Sequence, residues 1–267
     1  MKKILFLILF FILSVDFCHA GVSVIGRLSQ EKTVRPGEKF EGIIFLKNKG
    51  EGPGEAKVYQ TDYFFFADGR NIYGEPGEIP RSNAKWISLS PTRITIPPNQ
   101  TSSVHYTVQI PENPDLKGTY WSMVMVEPMA GASPEGVEGE KGKIKLGLQT
   151  IVRYGVQIVT DIGDTGVRKI RFLDRKLLSD GGKRFLQINI ENTGERWLSP
   201  LVWVEIYNEQ GQSIGRFESG KFRIYPGCSV RHKIDLTEVP KGKYKALLVA
   251  DNGDEYVFGA RYDLGIE

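Results

Sequence analysis

The chain has 267 residues, 40% hydrophobic and 25% charged, with 35 Lys and Arg against 32 Asp and Glu and a formal net charge of +3. That balance is spread without long runs, so the basic stripe of a nucleic-acid-binding surface is missing. Two cysteines and three histidines, none at metal-ligand spacing, give no basis for a metal centre or a cofactor.

The first element in chain order is MKKILFLILFFILSVDFCHA, residues 1–20. Lys2 and Lys3, an apolar run from Ile4 to Leu13, and small residues at Cys18 and Ala20 predict a cleaved secretory signal peptide. It is too short for a permanent membrane helix, and Asp16 and Phe17 argue against a lipoprotein site at Cys18. No later stretch approaches eighteen apolar residues, so an exported chain without a transmembrane segment is expected. Cleavage would leave Cys228 with no partner for an internal disulfide. The remaining length suits two domains, expected at 21–158 and 159–267.

An internal repeat supports that division. LKNKGE (46–51) matches IENTGE (190–195), RITIPPNQTSSVHYTVQIP (93–111) parallels FRIYPGCSVRHKIDL (222–236), and KGTYWSMVMVE (117–127) parallels KGKYKALLVAD (241–251). The blocks keep their order in both halves. They are short, rich in β-branched and aromatic residues, and separated by Gly, Pro and Asn. The predicted fold is all-β, two immunoglobulin-like sandwiches in tandem, with Trp86, Trp121, Trp197 and Trp203 as core or corner residues. Asp180-Gly181-Gly182 reads as a turn and Asn252-Gly253 as a two-residue hairpin.

Between the halves, MAGASPEGVEGEKGK (129–143) has five glycines, a proline and no strand pattern, and is predicted to be a long loop. IKLGLQTIVRYGVQIVT (144–160) follows, alternating apolar and polar throughout. Read as one strand it would span roughly 55 Å, at about 3.3 Å per residue. That is more than one small sheet uses, so the run should serve the domain junction, offer a spare edge, or both.

Catalytic patterns are weak. GRFESGK (215–221) lacks the Ser or Thr and the helix of a phosphate loop, with Phe222 in the hydroxyl position. His105 and His232 stand alone on alternating strands, DNGDE (251–255) reads as hairpin chemistry rather than a calcium loop, and no nucleophile elbow occurs. No catalytic or metal residue is assigned, and binding is the expected class of function.

Four segments carry a family resemblance: GVSVIGRLSQ (21–30), SLSPTRITIPPNQTSSVHYTV (88–108), YWSMVMVEP (120–128) and LQTIVRYGV (148–156). Together they resemble the first domain of periplasmic pilus-assembly chaperones of the chaperone–usher route. The resemblance implies a monomeric or weakly oligomeric periplasmic protein that binds a secreted, pilus-type subunit lacking its last strand, with an outer-membrane usher as a further partner. It also implies roles for particular residues. Ile144, Leu146 and Leu148 would be the lent side chains, while Arg27 and Arg153 would clamp the subunit's terminal carboxylate. The second half departs from that family. KGTYW (117–121) and the paired sandwiches also resemble wall-associated binding proteins, which makes an envelope or cell-surface binding module the alternative reading.

Overall fold

The computed structural model describes residues 21–129 and 151–266. The expected signal peptide, most of the glycine-rich stretch, and Ile144, Leu146 and Leu148 lie outside them. Among the described residues the regular elements are strands, apart from one 3-10 turn at Ala84–Trp86. No described helix is long and apolar enough to cross a membrane.

The first domain is a sandwich of two sheets. One contains β1 (Val22–Ile25), β3 (Lys39–Asn48), β8 (Thr101–Gln109) and β6 (Ile87–Ser90), in the order β1-β3-β8-β6. The other runs β2-β10-β9-β4-β5, with β2 (Ser29–Val34), β10 (Tyr154–Ile162), β9 (Gly118–Pro128), β4 (Gly54–Phe65) and β5 (Asn71–Gly74); β7 (Arg93–Ile96) also pairs with β4. The first strand of the chain therefore changes sheets. β1 pairs antiparallel with β3, the backbone turns at Gly26 (φ +94°), and β2 then pairs parallel with β10. A positive φ of this kind strongly favours glycine at the corner.

The second domain packs a three-stranded sheet, β11 (Ile170–Asp180), β12 (Lys183–Asn192) and β15 (Ser229–Asp235), on a four-stranded one. The latter runs β14-β13-β16-β17, with β13 (Leu201–Tyr207), β14 (Ser213–Glu218), β16 (Gly242–Asp251) and β17 (Val257–Ile266). GRFESGK thus lies on β14 and the segment after it, with no helix.

The repeat has a physical origin in one turn made twice. Asn48 is fully buried; its Nδ2 donates to the carbonyls of Gly52 (2.8 Å) and Ile96 (2.9 Å), and its Oδ1 accepts from Gly50 N–H (2.9 Å). Asn192, also fully buried, donates to Arg196 O (2.7 Å) and Ile224 O (2.8 Å) and accepts from Gly194 N–H (2.9 Å). In the facing turns, Asn99 (φ +56°) and Gly227 (φ +79°) take the same left-handed position. The backbone N–H of each buried Asn bonds the next carbonyl, of Gln100 and of Cys228. A buried amide with every polar atom paired fixes strand and turn together, which is why the motif recurs.

Four expectations are corrected. Within the predicted single strand over 144–160, residues 151–153 have no regular structure and pairing begins at Tyr154 opposite Val126. In that register Val152 would face Pro128, which has no N–H to donate. The expected boundary at 158 falls inside β10, whose pairing with β9 and β2 continues to Ile162. Alternation also fails at the end of this strand: Val159 and Asp161 are as buried as Ile158 and Thr160, because the second domain covers the outer face. Finally, Gly181 and Gly182 (φ +56° and +79°) form the tight turn, but Asn252-Gly253 belongs to a longer loop reaching Tyr256. There Asn252 Nδ2 donates to Asp254, and the Asp251 and Asp254 carboxylates accept from the Gly253 and Tyr256 N–H groups.

The two cores are not independent. Trp121 of β9 and Val159 of β10 belong to the second domain's core, and Trp121 stacks on Tyr225 with centroids 4.9 Å apart and an 11° tilt. Trp121 Nε1 donates to Tyr63 O (3.0 Å). At the junction Asp161, 1% exposed, accepts from Thr119 Oγ1 (2.5 Å) and Trp197 Nε1 (3.0 Å), with Arg196 Nη2 at 3.7 Å. A desolvated, bonded carboxylate between domains holds their angle as well as their contact.

Candidate functional site

Where the first strand leaves one sheet for the other, it opens a groove of about 990 Å³ against the second domain. Its walls include Arg27, Ser29 and Glu31 around β2, Phe40 and Gly42 of β3, Tyr106 of β8, Gln157 of β10 and Arg223. The Tyr106 ring lies across Gly42, where a Cβ would sit 2.2 Å from the ring, and its hydroxyl donates to Gln30 Oε1 (2.6 Å). Burial pushes the Tyr106 phenol up to about 12.

Arg223 is the second domain's cation in this groove. Its guanidinium stacks on the Trp197 ring (4.1 Å to the centroid), Nη1 donates to Ser29 Oγ (3.2 Å), and Nη2 lies 3.0 Å from Glu31 Oε2. Tyr225 donates its hydroxyl to Gln157 Oε1 (2.8 Å), tying the same floor to β10. Burial holds the Glu31 carboxyl above its ordinary range; Arg223 pulls it down, and the Asp161 carboxylate beside it pushes it up again.

The residues named from the sequence are distributed as follows. Arg27 is exposed and lines the groove. Arg153, also exposed, lines a separate depression with Tyr59, Thr61, Tyr73 and Met125. There the Tyr59 hydroxyl and the Glu127 carboxylate stabilise its charge. The two arginines named as a clamp therefore line different depressions, and the groove pairs Arg27 with Arg223. Arg223 was missed because it comes from the other half of the chain. The available signal was the repeat, since aligning Ile224 with Ile96 puts Arg223 where the first copy has Thr95.

The backbone around the groove has its own feature. β10 is bonded to β9 from Tyr154 onward, yet β2 covers its other side only from Gln157, whose N–H donates to Leu28 O (2.8 Å). The edge of Tyr154–Val156 on the β2 side is open among the described residues, because β1 has departed to the other sheet. An open strand edge is a template for another strand.

The two described histidines differ. His105 is exposed, with Nε2 3.3 Å from Ser103 Oγ. His232 is fully buried, with Nδ1 2.7 Å from Ser219 Oγ and its ring against Phe222. Burial lowers its pKa to about 4. For a base depressed on folding, the unfolded chain takes up the proton first, so stability falls as pH drops from about 6.5 to about 4. The loss should be on the order of 3 kcal/mol. Urea midpoints at pH 7 and pH 4.5 should show it, and His232→Gln should flatten that part of the profile. Cys228 is likewise fully buried, its thiol pushed up to about 12 by burial, so it is a packed residue rather than a nucleophile.

No family model matches the chain, and no curated protein matches it. Among solved structures it is similar to the class 5 fimbriae chaperone CfaA, at 13% identity over 91% of this chain and 98% of that one, with a TM-score of 0.48. It is also similar to a chain of the CsuC–CsuE chaperone–tip adhesion subunit complex of Acinetobacter baumannii, at 10% identity over 90% and 97%, TM-score 0.44. A chain of the Salmonella enterica SafA pilin–SafB chaperone complex gives 14% identity over 91% and 96%, TM-score 0.42.

Proposed function

We propose that this chain is a non-enzymatic chaperone of the periplasm that completes the sheet of a secreted, pilus-type subunit by lending it a strand. The observation that carries this reading is the edge of β10 at Tyr154–Val156, open among the described residues, next in the chain to the alternating residues 144–150. Ile144, Leu146 and Leu148 would fill the subunit's groove while main-chain bonds join the two edges. Three such side chains contribute about 4.5–9 kcal/mol gross, at ~1.5–3 each, before ordering costs. No nucleotide is needed to drive that step. The subunit's terminal carboxylate would lie at the base of the domain angle, where Arg27 and Arg223 offer planar forks suited to two parallel hydrogen bonds. Arg153, in the neighbouring depression, would meet the subunit nearer the donated strand.

The decisive test is capture. Leu146→Glu, which puts a charge into the donated face, should abolish co-purification with the subunit while leaving the melting temperature unchanged. Retention of the subunit by that variant would remove residues 144–148 as the donor.

A further inference from the structure

The anion site in the groove is already filled, by a side chain of the same molecule. Arg223 reaches from the second domain to within 3.0 Å of Glu31 Oε2, donates to Ser29 Oγ beside it, and is pinned from behind by the Trp197 ring. Glu31 sits on β2 in register with Val159, next to the buried Asp161 that bonds Thr119 and Trp197. Around it stand Arg223 and Tyr225 of the second domain, Asp161 of β10, and Arg27, Lys32 and Glu41 at the groove walls. Its carboxylate thus has one cation at bonding distance and one acidic neighbour at its back.

We propose that Glu31 is a built-in competitor, a carboxylate that occupies Arg223 until an incoming anionic group displaces it. The proposal rests on the reading of the groove as the seat of a client's carboxylate and adds its regulation. Displacement exchanges one carboxylate for another at Arg223, so no charge is left unpaired at the cation. The released Glu31 turns toward solvent, to which a third of its side chain is already exposed. Ligand entry and latch release are therefore one step, and an empty groove is kept shut against weak anions.

The same geometry makes the latch sensitive to pH. Burial, with Asp161 adding to it, raises the Glu31 carboxyl above 4.5. A raised acid contributes stability that is present below its unfolded value and lost as pH climbs through its folded one. Ionised Glu31 is therefore under tension at neutral pH, and acid empties the latch by neutralising it. Glu31→Gln should melt higher than the parent at pH 7, with the gap closing below about pH 4.5.

Binding is read on the isolated protein with sulfate, whose charge stays fixed over the range used, by following the Arg223 Nε–H resonance in arginine-labelled protein. Glu31→Gln should bind sulfate at Arg223 about tenfold more tightly than the parent at pH 7. The parent should gain affinity as pH falls, and the variant should not. Arg223→Ala added to Glu31→Gln should remove the gain. Equal affinity in parent and Glu31→Gln, no binding in either, a gain that survives loss of Arg223, or an acid response undiminished in the variant would each overturn the latch. None of these depends on a subunit, so the latch can fail while Leu146→Glu still supports strand donation, and the reverse.

Discussion

Gly118→Ala should cost at least ~3 kcal/mol, from a strained backbone and a main-chain clash together. Gly118 has φ +74°, and a Cβ built there would lie 2.1 Å from the main-chain oxygen of Glu195, across the domain junction. The conformation alone penalises alanine by about 1–2 kcal/mol. The clash adds more, because it cannot be relieved by a side chain moving aside. Backbone would have to shift, and Thr119 N–H donates to that same oxygen at 2.8 Å. Losing this bond loosens Thr119, whose hydroxyl binds Asp161 and accepts from Trp197 N–H (3.0 Å). Urea unfolding should give a midpoint well below that of the parent. Gly181→Ala is the control: φ is +56° there too, but nothing lies within 4 Å of the added methyl, and about 1 kcal/mol should suffice. Equal losses at the two sites would mean that the domains are not held by this close approach.

That contrast also marks what could be seen in the chain beforehand. Both glycines are ordinary turn signals in the sequence, and only the partner at Gly118 separates them. The sandwiches were legible because strand alternation and the LKNKGE and IENTGE repeat are local, and each Asn bonds two partners within its own turn, Gly50 and Gly52 or Gly194 and Arg196. The same locality exposed the Gly181-Gly182 turn. What crosses the junction left no local trace. Val159 and Asp161 read as the wet face of β10 until the second domain covers them. Trp121 reads as core, but its core is that of the other domain. Arg27 was named only through the family resemblance of the first strand, whereas Arg223 and Glu31 meet over nearly two hundred residues of sequence separation, beyond the reach of any periodic pattern. The irregular backbone at 151–153 was missed because apolar alternation continues through it, while the opposing proline is more than twenty residues away.

Asn192→Asp should be worse than Asn192→Ala, although aspartate is nearly the same shape. Alanine leaves two carbonyls and one N–H without their partner in a buried turn, and about 2–4 kcal/mol is the expected cost. Aspartate keeps the bond from Gly194 N–H but turns a double donor into a charged acceptor facing the carbonyls of Arg196 and Ile224. A buried charge without a cation costs roughly 3–5 kcal/mol, and repulsion from two lone pairs adds to it. The loss should shrink in acid, where a protonated carboxyl can donate to one of the carbonyls. That reversal distinguishes a missing donor from simple disruption of packing, which no proton would repair. Asn48→Asp should behave alike, because Asn48 donates to Gly52 and Ile96 and accepts from Gly50 in the same way. Urea midpoints of both variants at pH 7 and pH 4 measure the effect. If Asn192→Asp is as stable as the parent at pH 7, the paired amide does not hold the turn, and the repeat needs another cause.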